Sequence, residues 1–466
     1  MVVSLTIIDR IALALYTIYL GGVIGGVWLF LRSSGRHRIW GIVIVVESAA
    51  AILLLTLMST DYWISNTRSG IINVGVRSIL YTLAYTLLPV SLGAVIVSAL
   101  AFITIRLMQH GNSFLSALLL CGSIPIIFSA SLVQLISLTK RTRPNLPDPV
   151  SEISIHPDFS ITPFITEPTG NPTSVIFGAN GSMYIANHNG DIWFVSFEDR
   201  TSRRFASGFM IPVGLAWRDG SLYVSSQGKI TALRDTNGDQ IADDATDIVV
   251  GLPAGIFPWH GNNGLAFGSD GRLYFPVGST SDAAPERYQY AASILSVNAD
   301  GSDLQTYAVG IRNSYRLAFN SLGDLFATDN APGLLDVAPP DELNYIVEGG
   351  DYGFPRHFGL PPPDGGTIAP IALFPEHSSA DGLVIYQDDQ FPAEYFDNGF
   401  VTLWSIGQIY RVQLSKDDNG EYHTLTSIFV TGLTNPLDIA TGPDGSLYVT
   451  DFGDSVVYKI SYTGGQ

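Results

Sequence analysis

The residues with the most chemical reach in this sequence are a histidine and a run of carboxylates. His260 sits in "FPWHGNNGLAFGSDGRLYFPVG" (Phe257–Gly278), among glycines and asparagines and just ahead of an apolar strand. Imidazole titrates near neutral pH, so a histidine at the mouth of a fold can remove a hydroxyl proton; capping a loop is the plainer role. The stretch "RDTNGDQIADD" places Asp235, Asn237, Asp239 and Asp243 at alternate positions, with Ile241 between them to supply a carbonyl. That spacing resembles a calcium loop, because calcium collects about six to eight oxygens from one tight turn. Gln240 stands where such a loop needs glycine and Thr246 where it needs glutamate, so this is not a true EF-hand. A bound ion here would be structural, and a solvated acidic turn is the alternative. His188 in "ANHNGDIW" reads as a turn residue, while His357 and His377 fall in loops. No His/Cys spacing suggests zinc, and no glycine-rich phosphate loop precedes a helix.

Charge and hydropathy split the 466-residue chain. Residues 1–143 hold ten Lys/Arg against three acids, about +7, and the remainder is close to −25. So acidic a C-terminal part repels polyanions, which argues against nucleic acid as a partner. Four apolar runs, Ile11–Leu31, Trp40–Met58, Ile79–Ile105 and Ser113–Leu138, each reach the roughly 20 residues that cross a bilayer. Pro89 and Pro125 lie inside the last two, where neighbouring helices absorb a kink. Glu47 is the one acid within a run, either a functional carboxyl or a protonated one bonded to a neighbouring helix. Arg32, Arg36 and Arg38 favour a cytoplasmic first loop and an extracytoplasmic C-terminal part; Lys140, Arg141 and Arg143 pull the other way. The lone cysteine, Cys121, excludes a disulfide within one chain.

The chain is proline-rich from Thr139 to about Ser174, which reads as an extended tether. A signature then recurs: "GANGSMYIAN", "WRDGSLYVSS", "GSDGRLYFPVG", "NSLGDLFATDN" and "GPDGSLYVTD". Each is a glycine turn followed by a strand with an aromatic residue at a fixed place. Glycine supplies the positive φ of the tight turn, and the aromatic packs between sheets. Gly181, Gly220, Gly271 and Gly323 are about 40–50 residues apart, and the gap to Gly445 is about twice that or more. One unit has lost its turn, and "FDNGFVTLWSIGQIYRVQL" (Phe396–Leu414) fits its place as a strand pair. Six units of this period make a six-bladed β-propeller. The expected architecture is an N-terminal α-helical membrane domain of four transmembrane helices (1–143), a linker (144–164) and an all-β six-bladed β-propeller (165–466). In that fold His260 lies at the mouth, which favours base over cap.

At "WHGNNGLAFGSDGRLY", "GIRNSYRLAF", "DELNYIVEGGDYGFP" and "NPLDIATGPDGSLYVTD" the propeller resembles the glucose/sorbosone dehydrogenase family. The resemblance implies six-bladed propellers that oxidise sugars with pyrroloquinoline quinone (PQQ) and calcium. It assigns His260 as the base that takes the hydroxyl proton while hydride passes to the quinone. It matches Arg312 and Asn313 to the family's Arg-Asn pair, where the arginine polarises the quinone carbonyl. It matches the carbonyls of Ala331 and Pro332 to those that hold calcium beside the quinone, and Glu342 and Tyr352 to positions tied to nearby calcium sites.

The sequence also departs from that family. Its fifth-blade lysine is missing from "TLWSIGQIYRV", Asn435 and Leu437 stand where two arginines are expected, and Trp259 replaces the acid before the histidine. PQQ carries carboxylates, so lost cations weaken its grip. "PEHSSADGLVIY" (Pro375–Tyr386) looks like the sorbosone branch, where this region varies. The resulting expectation is a membrane-anchored PQQ- and calcium-dependent sugar dehydrogenase, with membrane quinone as a conceivable electron acceptor. The alternatives are a non-catalytic extracytoplasmic binding or scaffold module and a calcium-dependent lactonase-type hydrolase.

Overall fold

The structure, a computed structural model, describes residues 153–166, 170–254, 260–332, 339–363 and 365–464. The four expected spans with Glu47 and Cys121, the first part of the tether and Trp259 lie outside the described residues. Among the described residues no helix is long and apolar enough to cross a membrane. The chain divides into two compact units, Met1–Asp148 and Pro149–Gln466, and the described residues all belong to the second.

Six antiparallel sheets follow one another along the chain. Blade 1 runs from strand Pro172–Phe177 to strand Ser202–Ala206, and blade 2 from Gly214–Arg218 to Asp244–Val250. Blade 3 runs from Ala266–Phe267 to Gln305–Val309, blade 4 from Leu317–Phe319 to Ala372–Glu376, and blade 5 from Ala380–Ile385 to Tyr422–Thr431. Blade 6 begins at Pro436–Thr441. The first strand of each blade packs on the first strand of the next, and that of blade 6 on that of blade 1, so the ring closes. The six-bladed propeller expected from the repeat is the fold observed.

Burial follows from the strand period. Alternate residues face neighbouring sheets, and an apolar wedge fills each gap between consecutive blades. The recurrent aromatics, Tyr184, Tyr223, Tyr274, Phe326 and Tyr448, are buried in these wedges, with Phe400 as the blade 5 counterpart. The turn glycines Gly181, Gly220, Gly271, Gly323 and Gly445 have φ between +72° and +84°. Blade 5 reaches its second strand through a longer connection, with Asp397 at φ 56°, so no glycine marks it in the sequence.

The proline-rich stretch holds more structure than its composition suggests. Phe159–Ile165 is the outer strand of blade 6, pairing Phe159 with Tyr462 and Ile165 with Val457. Ser154–Ile155 adds to the outer edge of blade 5, opposite Thr431 and Val430. Pro163 is tolerated because an edge strand does not need every N–H. The N-terminal strand therefore joins the C-terminal blade and latches the ring. Phe159 anchors it, 5% exposed, with ring centroids 4.8 Å from Phe391, 4.9 Å from Phe429 and 5.2 Å from both Tyr395 and Tyr462. Phe159→Ala should lower stability by about 3–5 kcal/mol, read as a lower denaturant midpoint by tryptophan fluorescence. An unchanged midpoint would mean that the ring closes without this latch.

Candidate active site at the mouth of the ring

Because strands alternate in direction, the loops between blades and the loops between second and third strands emerge at the same end. His260 lies on the loop entering blade 3 and Arg312-Asn313 on the loop entering blade 4. Ser279–Asp282 and Asn330–Pro332 lie on the second-to-third-strand loops of those same blades. The topology thus brings the expected base, cation and carbonyls to adjacent positions.

Arg312 is buried, and its guanidinium makes three hydrogen bonds. Nη2 and Nε donate to the Asp282 carboxylate (2.6 Å) and carbonyl (2.8 Å), and Nη1 donates to the Asn330 carbonyl at 2.9 Å. One N–H on each terminal nitrogen remains beyond these bonds. The backbone is fixed from below. The Asp329 carboxylate, closing strand Leu325–Asp329, accepts the main-chain N–H of Arg312 at 2.9 Å and of Asn313 at 2.7 Å. The Asn313 carbonyl oxygen accepts from Asn263 at 3.1 Å, which leaves its amide N–H groups as donors.

His260 is held against strand Leu273–Val277 by a close backbone approach. A Cβ on Gly278 would stand 2.6 Å from Asn313 Oδ1 and 2.8 Å from His260 Cα, so only glycine fits there. The imidazole Nδ1 lies 3.4 Å from Ser279 Oγ. Burial first, and the Arg312 charge second, hold its proton affinity well below the ordinary histidine value. His260 is therefore neutral at physiological pH, the state in which it can accept a proton.

The acids form a second group. Asp329 and Glu342 face each other across adjacent strands and line a small cavity of about 10 Å³ with Arg312, Ala331, Tyr352 and His357. That is close to the room one water or ion needs. Burial raises the pKa of both acids, and for Glu342 the neighbouring Asp329 charge adds to the rise. Asn330, also on the cavity wall, has a buried side-chain oxygen without a hydrogen-bond partner among the described residues. The Ala331 N–H donates to Asp341 at 2.8 Å, which fixes the loop carrying Ala331 and Pro332. The Tyr352 hydroxyl donates to the Tyr345 carbonyl at 2.6 Å, so its phenol is committed elsewhere.

The other expected metal set behaves differently. Asp235, Asn237, Asp239 and Asp243 do share one exposed turn, where their oxygens accept that turn's own N–H groups. Asp235 accepts from Gly238 at 2.7 Å and from Gln240 at 2.8 Å, and Asp243 accepts from Thr236 at 2.8 Å. Among the described residues no group of three or more His, Cys, Asp or Glu side chains is gathered to hold a metal. That applies to this turn.

The far wall of the mouth holds the positions where the resemblance expects cations. Leu437 packs with Val213, Tyr315 and Phe452, and Trp404 leans on this cluster. The Asn435 amide donates to the Trp404 carbonyl at 3.2 Å. His188 stacks edge-on against Phe452, with ring centroids 5.8 Å apart. Sequence reasoning missed Asp282, Ser279 and Asp329. The last had a signal: Asp451, in the matching "VTD" of blade 6, likewise accepts the N–H groups of Thr434 (2.8 Å) and Asn435 (3.0 Å). A repeated Thr-Asp at the end of a second strand marks a carboxylate that holds the loop entering its own blade.

Comparison with known proteins bears on the family and the fold. A family model described as a domain of unknown function, DUF7133, matches residues 198–461. An uncharacterized protein of Borreliella burgdorferi is 25% identical over 351 residues, with 67% of this chain and 91% of the relative covered. Quinoprotein glucose dehydrogenase B of Acinetobacter calcoaceticus is 23% identical over 207 residues, with 35% of this chain covered and 42% of that enzyme, less than half its length. The solved PQQ-bound form of an aldose sugar dehydrogenase from Streptomyces coelicolor superposes with a TM-score of 0.52 at 18% identity, covering 65% of this chain and 99% of that one. The ring shares its fold with PQQ-dependent sugar dehydrogenases.

One buried acid beneath the mouth gives a pH test. Burial lifts Asp381 from its ordinary 3.8 to about 8, although it accepts hydrogen bonds from Asn330 (2.9 Å) and Ser379 (3.1 Å). An acid whose folded pKa exceeds its unfolded one binds more protons when folded. Stability therefore falls as pH rises from about 4 to about 8, by at most about 1.4 kcal/mol per unit. Asp381→Asn removes the titration and can keep both hydrogen bonds. Denaturant midpoints at the two ends of this window should fall less for the variant than for the parent. Parallel losses would show that Asp381 ionises in the fold without penalty.

Proposed function

The chain belongs to the DUF7133 family, and from that premise we propose that its propeller oxidises a hydroxyl carbon of a sugar, with PQQ as the electron acceptor and calcium as its partner. The observation that carries this reading is the buried Arg312 guanidinium, fixed on two sides and one blade away from a neutral His260.

The residues present suit the quinone end of such a cofactor. The remaining Arg312 N–H groups and the Asn313 amide are donors on one wall, as a pair of carbonyl oxygens requires. The residues beside them suit calcium: Ala331, Glu342, Tyr352 and Asn330 with its unpartnered oxygen line one small cavity and can offer hard oxygen ligands, and Pro332 follows Ala331 on the same loop. When bound, PQQ supplies the hydride acceptor. His260 takes the hydroxyl proton, Arg312 offers a fixed positive charge where negative charge develops, and Asp282 keeps that charge in place. The substrate class is a neutral sugar, and the acidic propeller is unsuited to nucleic acid. The four apolar runs would anchor the propeller on the extracytoplasmic side, with membrane quinone receiving the electrons.

A second reading, a binding module that has lost PQQ, is favoured by the uncharged wall of Trp404, Asn435, Leu437 and Phe452. Calorimetric titration of PQQ into the protein with calcium present separates the two. Saturable one-to-one binding is expected, weakened about 10- to 100-fold by Arg312→Ala, the value of a lost charge-assisted hydrogen bond. Glu342→Gln should reduce the calcium dependence, and dye-linked sugar oxidation should accompany binding. Absence of binding at micromolar PQQ would overturn the dehydrogenase reading in favour of the binding module.

A further inference from the structure

We infer that the blade 3 loop Ser279–Glu286 is the positioning element of this site: Ser279 holds His260 with the ring proton on Nδ1, leaving Nε2 as the proton-accepting atom, while Asp282 holds Arg312. The inference deepens the dehydrogenase reading, since it names the residues that prepare its base and its cation.

The argument for Ser279 is one of hydrogen counting. A hydroxyl has one hydrogen. That of Ser279 goes to the Ser281 carbonyl at 2.6 Å, a short bond that fixes the rotor. Toward His260 Nδ1, 3.4 Å away, the oxygen can then present only lone pairs. A neutral imidazole meets an acceptor with its N–H, so Nδ1 carries the proton and Nε2 the lone pair. Isolated histidine favours the opposite tautomer, so the loop selects the less common form.

The loop is built to hold this arrangement. Its own carboxylate, Glu286, accepts the Thr280 N–H at 3.0 Å, the Thr280 hydroxyl at 2.6 Å and the Ser281 N–H at 3.3 Å. The Ser279 N–H donates to the Arg312 carbonyl at 2.7 Å, which ties the loop to the segment it serves. Asp282 then faces Arg312 as a buried pair, with side chains 8% and 6% exposed. Both partners are removed from water, so each depends on the other for its position. One loop therefore orients the imidazole through a hydroxyl and the guanidinium through a carboxylate.

The test reads the tautomer directly and needs neither PQQ nor sugar. The full chain, labelled with ¹⁵N at histidine, is recorded by two-bond ¹H–¹⁵N correlation at neutral pH, and His260 is identified by its loss in His260→Gln. A protonated Nδ1 and an unprotonated Nε2 are expected. Ser279→Ala should shift the signal toward the Nε2–H pattern, and Ser279→Thr, which keeps the hydroxyl and controls for folding, should retain the parent pattern. An Nε2–H pattern in the parent, or an unchanged one in Ser279→Ala, overturns the role of Ser279. For Arg312, the Nη2–H that meets the Asp282 carboxylate should give a slowly exchanging guanidinium resonance that is lost in Asp282→Ala; its persistence overturns the role of the Asp282 carboxylate. A protein that shows these signals yet binds no PQQ would retain the positioning loop while losing the dehydrogenase reading.

Discussion

The Asp329 carboxylate is the constraint from which the mouth is built. It ends the second strand of blade 4 and accepts the main-chain N–H groups of Arg312 and Asn313, so it sets where both side chains start. The arrangement is expensive, because burial pushes its proton affinity up despite those bonds and the nearby guanidinium. Around it the charges run Asp282, Arg312, Asp329, Glu342, three acids to one cation within a buried strip. Such a strip is balanced either by a proton shared among the carboxyls or by a cation. The small cavity between Asp329 and Glu342 lies where a cation would balance it. A proton and a cation are therefore alternative ways to balance the same charge.

The two halves of the mouth follow different physics. On the side of blades 3 and 4 polar groups direct one another: Asn263 holds Asn313, Glu286 holds the Ser279 loop, and Asp341 holds Ala331. Opposite, Leu437, Phe452 and Trp404 of blades 5 and 6 meet Val213 and Tyr315, at the entries to blades 2 and 4, in apolar contact. A ligand with one polar, carbonyl-bearing edge and one weakly charged face suits both halves. This asymmetry sharpens the question of how a cofactor with several carboxylates would sit, because charge complementarity is concentrated on one side.

Much of the fold was legible because propeller turns need specific backbone geometry. Five blades use a glycine at positive φ, and five glycines marked them. Blade 5 was legible only by its spacing, since Asp397 takes the left-handed position without a glycine signature. The latch strand Phe159–Ile165 was hidden because its partner lies at the far end of the chain and its prolines mimic a tether. In the site, His260, Arg312 and Asn313 stood out by residue type and order. Asp282 and Ser279 did not, because their roles depend on how a loop folds back, which no local pattern encodes. Asp235 and its neighbours illustrate the converse: the spacing suits a metal, yet the same oxygens also suit the turn's own N–H groups.

Propeller architecture explains how these roles came to be separable. Each blade is held by the same wedge of apolar side chains and the same turn, so the loops at the mouth carry little of the burden of folding. Asp451 performs in blade 6 the backbone capture that Asp329 performs in blade 4, but the loop it fixes presents Thr434 and Asn435, not a cation. The device is structural and repeated; the chemistry depends on which side chain it aims. A polar residue placed after a second-strand carboxylate is therefore poised at the mouth whether or not it reacts. What distinguishes blade 4 is the added partner from blade 3, Asp282, which pairs with the buried arginine there.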